Sequence, residues 1–186
     1  MNDYIKITSN LMIICATAGL ILAATWASTE PVKVRKEAQE LEQALKGLMP
    51  QADSIQAVKD IKIAGKECKI YEAKQGGNLT GFVVSSYGKG YSSYIKLLVA
   101  IDANNTVTAV DVLGHAETPG LGDQITEGWF KDRFKGKSLE HLVVVKGDTQ
   151  TDVQAISGAT ISSRGVTRGV KDAVEALKAA REGGLK

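Results

Sequence analysis

The chain has 186 residues, of which 23 are basic and 21 acidic, and it contains two cysteines and two histidines. This length allows one ordinary domain with an appendage, because domains commonly contain about 100–150 residues. The basic residues form no long block, so a nucleic-acid-binding protein is not expected. The few cysteines and histidines form neither a disulfide framework nor a recognisable metal motif, which argues against iron–sulfur and zinc chemistry.

The N-terminal segment is predicted to cross a membrane. No charged residue lies between Lys6 and Glu30, and a run of about 20 apolar residues is what a helix needs to span ~30 Å of hydrocarbon. A cleaved signal peptide is the alternative, since small residues flank Trp26 at suitable positions. We expect the segment to be retained as an anchor.

Three parts are predicted along the chain. Leu41, Leu45 and Leu48 lie on one helical stripe before Pro50, which indicates an amphipathic helix next to the membrane. The predicted parts are a transmembrane anchor at residues 1–29, a membrane-proximal amphipathic helix at residues 30–50 and one domain at residues 51–186.

The domain is predicted to be α+β. Short runs rich in Val, Ile, Tyr and Phe are separated by turn-forming residues, which indicates a meander of antiparallel strands. The predicted strands are KIYEA, TGFVVSS, YIKLLVAI, TVTAVDVL and the apolar run from His141 to Val145. After them, the stripe of Val166, Val170, Val174 and Leu177 predicts an amphipathic helix that packs on the sheet.

A first motif, SGATISS, lies directly before this C-terminal helix. Gly158 permits a tight turn, and the hydroxyl of Ser162 or Ser163 is expected to cap the helix. Because a helix N-terminus presents unpaired N–H groups and partial positive charge, the turn suits a phosphate on a neighbouring hydroxyl. Arg164 and Arg168 are expected to add positive charge nearby. An ordinary capped helix start is the alternative interpretation.

A second motif, GHAETPGLGD, follows the strand that ends at Leu113. Its proline and three glycines predict an irregular loop in which the backbone can approach a ligand closely. A connecting loop with a solvated histidine and glutamate is the alternative interpretation.

Together, HAETPGLGDQI, SGATISS, the upstream GYSSYIKLLVAID and the single span resemble the FMN-binding G subunit of the Rnf electron-transport complex. The resemblance covers nearly the whole chain. In that family the Ser/Thr-Gly-Ala-Thr signature marks the threonine that is joined to FMN through a phosphoester bond. The resemblance therefore implies covalent FMN on Thr160, with Ser157, Gly158 and Ala159 in the same turn.

The family's loop near the isoalloxazine ring is matched here by His115, Glu117, Thr118, Leu121 and Gly122. We assign these residues to the flavin environment and not to acid–base catalysis. The resemblance also implies that a separate flavin transferase, with FAD as donor and magnesium, attaches the FMN.

The resemblance implies an electron-carrier subunit of a membrane complex that couples electron transfer between ferredoxin and NAD to ion translocation. Such a chain belongs to a translocating oxidoreductase but is not catalytic alone, since it has no GxGxxG nucleotide motif and no ionisable residue within the span. Its expected partners are membrane lipid and the other subunits, including a second flavinylated one.

Two alternatives stay open for this function. One is the C subunit of a sodium-translocating NADH:quinone reductase, which is a close relative of the G subunit. The other is a membrane-anchored domain with a structural role or a non-covalent ligand, in which SGAT is only a helix cap.

The orientation in the prokaryotic inner membrane is predicted in opposite senses by two arguments. Lys33, Arg35 and Lys36 closely follow the span, whereas Lys6 alone precedes it, so the positive-inside rule predicts a cytoplasmic domain. The family resemblance implies a flavin domain on the outer side, and we follow the family.

Overall fold

The computed structural model describes residues 2–63 and 65–184 of the chain. These residues form two packed units, of which the first ends at Leu41 and the second begins at Glu42.

Helix α1 (Asn2–Leu48) has 47 residues and continues through Pro31 without a break. At ~1.5 Å per residue it is about 70 Å long, more than twice the ~30 Å of a hydrocarbon core. It is the one helix in the described part of the chain that is long and apolar enough to cross a membrane. The hydroxyls of Thr8 and Thr25 donate to carbonyl oxygens one turn earlier, at 2.8 Å each. These two hydroxyls therefore need no partner outside the helix.

The second unit contains a five-stranded antiparallel meander in which neighbours in the chain are neighbours in the sheet, in the order β1-β2-β3-β4-β5. Its strands are β1 (Ser54–Ile63), β2 (Lys66–Gln75), β3 (Asn78–Lys89), β4 (Tyr94–Ile101) and β5 (Val107–Gly114). The first four predicted strands are confirmed and correspond to β2, β3, β4 and β5. Strand β1 was not predicted, because the adjacent charged residues Lys59 and Asp60 interrupt its apolar pattern and most of its side chains are exposed.

After β5 the chain forms short elements before the last helix. They are 3₁₀ turns at Gly122–Thr126, Asp132–Phe134 and Leu139–His141, helix α2 (Gly128–Lys131), strands β6 (Val144–Val145) and β7 (Val153–Gln154), and helix α3 (Thr160–Glu182). The strand predicted from His141 to Val145 is thus mostly wrong, since only its last two residues pair, in parallel with β7.

Helix α3 packs on one face of the sheet, and its predicted apolar stripe is confirmed. Val166, Val170, Val174 and Leu177 are all buried in the core. Two glycines allow the helix backbone to approach strand β3 directly, because a Cβ on Gly88 would overlap the carbonyl oxygen of Gly165.

This close packing is supported by a buried hydrogen bond. The hydroxyl of Ser86 on β3 donates to the carbonyl oxygen of Gly169 at 2.7 Å. The position of α3 on the sheet, and hence of its first residue, is set by backbone contact.

Candidate functional site

The turn before α3 places Thr160 as the first residue of the helix. Gly158 has φ of 78°, a left-handed conformation that favours glycine. The N–H of Ala159 donates to the carbonyl oxygen of Ile156 at 3.0 Å, which closes the turn. The Thr160 side chain is half-buried at the point where the turn meets the helix.

The expected capping role of Ser162 and Ser163 is wrong, because both residues lie inside α3 and the helix has no side-chain cap. The Ser163 hydroxyl accepts from the N–H of Ile156 and donates to the carbonyl oxygen of Ala159, at 3.0 Å each. It therefore fastens the turn to the first turn of the helix.

Glu117 joins three segments of the second unit. Its carboxylate accepts hydrogen bonds from the N–H groups of Tyr91 and Ser92, at 3.0 Å each, and from the hydroxyl of Ser162. The side chain is only 5% exposed. The β3–β4 loop, the β5 loop and the first turn of α3 consequently meet at this one carboxylate.

The hydrogen bonds keep Glu117 ionised. Burial by itself raises the pKa of this carboxyl group, but hydrogen bonds from the Ser162 hydroxyl and from the N–H groups of Tyr91, Ser92 and Ser93 together hold the pKa below its ordinary value of 4.5. Glu117 thus places a fixed negative charge beside the start of α3.

Gly122 allows the β5 loop to lie against this carboxylate. A Cβ at Gly122 would lie 2.8 Å from Cβ of Glu117 and 2.9 Å from Oγ of Ser162, closer than a side chain tolerates. The second motif is therefore packed against the first.

An open pocket of about 510 Å³, here called the Leu121 pocket, lies between the two motifs. It is lined by Tyr91, Glu117, Thr118, Leu121, Gly122, Gly158, Ala159, Thr160, Ile161 and Ser162. Its rim is apolar, since Tyr91, Leu121 and Ile161 are exposed by 71%, 47% and 51%. Tyr91, Ile161 and Ser162 were not predicted for the site.

Two of the predicted residues lie outside this pocket lining. His115 accepts a hydrogen bond at Nδ1 from the N–H of Glu117 at 3.2 Å, so it contacts the loop and not the pocket. Ser157 lines a second pocket, here called the Arg133 pocket, of about 650 Å³.

The Arg133 pocket is polar and shares Gly158 and Thr160 with the Leu121 pocket. Its other lining residues are Gln124, Trp129, Arg133, Lys146, Gln154, Ala155, Ile156 and Ser157. Thr160 consequently lies where an apolar pocket and a basic pocket meet.

The two pockets suit a flavin nucleotide, which combines a flat, largely apolar ring with a phosphate. The volume of the Leu121 pocket is within the ~300–1,000 Å³ of small-molecule sites. The exposed rim residues offer surfaces for a ring, and the Arg133 pocket offers positive charge for a phosphate.

Comparison with known proteins defines the class. Residues 90–175 match the FMN-binding domain family, and this range includes both motifs. FMN is thus the cofactor of the domain.

Curated relatives define the family more closely. The chain is 38% identical to the G subunit of the proton-translocating ferredoxin:NAD(+) oxidoreductase complex of Clostridium ljungdahlii, over 94% of this chain and 91% of that protein. It is 32% identical to the G subunit of the ion-translocating oxidoreductase complex of Methanosarcina acetivorans, over 94% of each chain. The chain belongs to the family of G subunits of ion-translocating oxidoreductase complexes. These matches favour the G subunit over the related C subunit.

Solved structures agree with this fold. NqrC of Shewanella oneidensis has a TM-score of 0.52 at 30% identity, covering 71% of this chain and 74% of its own. The C subunit of the Na(+)-translocating NADH-quinone reductase of Parabacteroides distasonis has a TM-score of 0.55 at 22% identity, covering 75% and 81%, which supports the fold alone.

Proposed function

We propose that this chain carries FMN covalently on the hydroxyl of Thr160 and passes electrons within a membrane-bound ion-translocating oxidoreductase complex. The observation that carries the proposal is the position of Thr160, the first residue of α3, on the lining of both pockets. A phosphate attached there can lie in the Arg133 pocket while the flavin ring lies in the Leu121 pocket.

Attachment is a phosphoryl-type transfer with no change of oxidation state. The Thr160 oxygen forms a bond to the FMN-side phosphorus of FAD, the bond between the two phosphates breaks, AMP leaves, and the hydroxyl proton is released. Glu117, the carboxylate that lines the Leu121 pocket, is hydrogen-bonded to Tyr91, Ser92 and Ser162, so a separate flavin transferase is the proposed source of the base and of the magnesium ion.

Within the domain, the bound cofactor supplies the electron transfer, and the chain supplies position and electrostatics. Leu121 and Ile161 shield one side of the ring from water, since both line the pocket. Glu117 keeps the walls of the pocket together and adds a negative charge next to the ring. The pocket rim at Tyr91 is exposed, so one edge of the flavin ring there is accessible to a partner.

The proposed partners are other subunits of the complex. The C. ljungdahlii relative is named as part of a ferredoxin:NAD(+) oxidoreductase complex, and we infer the same overall electron path here, with a second flavinylated subunit as an exchange partner. We further propose that the second unit lies on the outer side of the prokaryotic inner membrane, held by α1.

The attachment is tested on the purified full-length chain. We expect a denatured wild-type band to fluoresce and its intact mass to contain one added FMN, on the peptide 157–163. Thr160→Ala is expected to lose both signals. Thr151→Ala is the control, because it removes an exposed hydroxyl outside the SGAT turn and outside both pockets, and it should retain both. Retention of one added FMN in Thr160→Ala would move the attachment site to another residue.

If flavin is present in the native wild-type protein but leaves the band on denaturation, the ligand is non-covalent. That outcome would support the alternative in which SGAT is only the start of a helix.

A further inference from the structure

The Arg133 pocket contains a cation that the domain itself does not neutralise. Arg133 follows α2 and lines the pocket that opens on Thr160. Six ion pairs are formed among the described residues, and none includes Arg133. A half-buried guanidinium without a carboxylate is suited to bind an anion, because the charge has been partly removed from water without compensation.

The guanidinium is held in a fixed orientation. The central carbon, Cζ, lies 4.7 Å from the ring centre of Trp129 and 5.8 Å from that of Phe130. In addition, Nη1 donates a hydrogen bond to the backbone carbonyl oxygen of Gln154. An arginine has five N–H donors, so most of them remain for another acceptor. Burial lowers the pKa of Arg133, but the group stays protonated at neutral pH.

The other basic residues near the start of α3 are less suited to this role. Arg168 is paired with Asp172 at 2.9 Å, and its side chain is 75% exposed. Arg164 is exposed and lines neither pocket. Lys146 lines the Arg133 pocket but is exposed. The sequence indicated Arg164 and Arg168 as the source of positive charge for a phosphate. The structure instead favours Arg133, which the sequence did not indicate.

We propose that Arg133 is the counter-ion of the phosphodiester that joins FMN to Thr160. This inference rests on the proposed function. Bidentate N–H donation to phosphate oxygens is the interaction that a planar guanidinium provides. The stack of Arg133 on Trp129 fixes the guanidinium, which then orients the phosphate. From Thr160, the phosphate lies in the Arg133 pocket and the flavin ring lies in the Leu121 pocket.

The consequence is that Arg133 fixes the direction in which the group leaves Thr160. Without it, the phosphate is free to rotate into solvent and the ring loses its defined approach to the Leu121 pocket. Arg133→Lys keeps the charge but loses the planar donor pair and the ring stack, so it should restore the environment only in part.

The test is ³¹P NMR of the purified full-length chain, with intact mass recorded on each sample. We expect the phosphodiester resonance to shift in Arg133→Met, to take an intermediate position in Arg133→Lys and to stay at the wild-type position in Arg164→Met. The Arg164→Met control removes an equal charge four residues from Thr160. Equal resonances in wild type and a fully loaded Arg133→Met would overturn the inference while leaving the proposed function intact.

The mass measurement separates the two ideas. A wild-type chain without added FMN would overturn the proposed function and this inference together. If Arg133→Met alone receives no FMN, inorganic phosphate is titrated into the Thr160→Ala chain and the Nε–Hε resonance of Arg133 is followed. A saturable shift that is absent at Arg164 supports the inference, and no shift, or an equal one at Arg164, rejects it.

Discussion

Ser162 donates a hydrogen bond to Oε2 of Glu117, although the two residues are 45 positions apart in the chain. Through this contact the loop after β5 is tied to the first turn of α3. The same carboxylate also accepts two N–H groups of the β3–β4 loop. Removing one side chain therefore loosens three walls of the Leu121 pocket at once.

Glu117→Ala is expected to destabilise the domain. It leaves the buried Ser162 hydroxyl and the partly buried N–H groups of Tyr91 and Ser92 without their acceptor, which should lower the free energy of unfolding by about 3 kcal/mol. Glu175→Ala, on the exposed face of α3, is the control and should change it by less than about 0.5 kcal/mol. Urea denaturation of the full-length chain in detergent measures both. Similar losses in the two variants would mean that the Glu117 contacts contribute little.

The charge of Glu117 should lower the flavin midpoint potential. Glu117→Gln keeps an acceptor for Ser162 but removes the negative charge, so addition of electrons becomes more favourable and the potential rises. His115→Ala should leave attachment intact and cause a smaller shift, because the imidazole hydrogen-bonds to the backbone N–H of Glu117 and does not line the Leu121 pocket. A redox titration followed by absorbance tests this. If neither substitution alters the potential, the loop does not lie at the ring.

Acid should weaken the domain through Glu117. Its pKa is lowered in the folded state, so the stability it contributes is fully present above the ordinary pKa of 4.5 and is lost as the pH falls towards the folded value. The difference in melting temperature between wild type and Glu117→Gln should be constant near neutral pH and narrow below the ordinary pKa. A difference that is unchanged in acid would contradict a lowered pKa.

Gly165→Ala should destabilise the domain despite the higher helix propensity of alanine. A Cβ at Gly165 would lie 2.5 Å from the carbonyl oxygen of Lys89, so α3 must move away from β3, at a cost of roughly 1–3 kcal/mol. Gly128→Ala is the control, since Gly128 is helical and nothing lies within 4 Å of its Cβ position. Thermal melts should show a loss for Gly165→Ala alone. An equally stable variant would mean that the packing is looser than described.

Membrane orientation can be measured with one added cysteine. Cys68 is 1% exposed and Cys15 lies in α1, so background labelling should be low. Lys178→Cys, on the exposed side of α3, should react with an impermeant maleimide in intact cells if the domain is outside. Labelling only after lysis would instead place the domain in the cytoplasm, as the basic residues after the span predict.

Much of the fold was predictable because its signals are local. The stripe from Val166 to Leu177 follows a helical period, and the strands β2 to β5 contain short runs of apolar residues between turn-forming ones. Strand β1 lacked such a signal, since Lys59, Asp60 and Lys62 interrupt it. A sheet edge with a mostly exposed strand is therefore difficult to recognise from the sequence.

The site was predictable in its motifs but not in its contacts. Ser162 and Ser163 are hydroxyl residues near a helix start, which favours a capping role locally, yet their partners are set by tertiary structure. Arg133 lies in a short irregular segment without periodicity. Only the fold brings it to the pocket beside Thr160.

The backbone contact between Gly88 and Gly165 has a consequence for electron tunnelling, whose rate falls steeply with distance. Because α3 and β3 meet backbone to backbone at these glycines, an FMN carried on Thr160, as proposed, would start from a helix end that is fixed on the sheet. Its distance to a partner would then depend on the phosphodiester orientation that Arg133 is proposed to set and on movement of the whole domain.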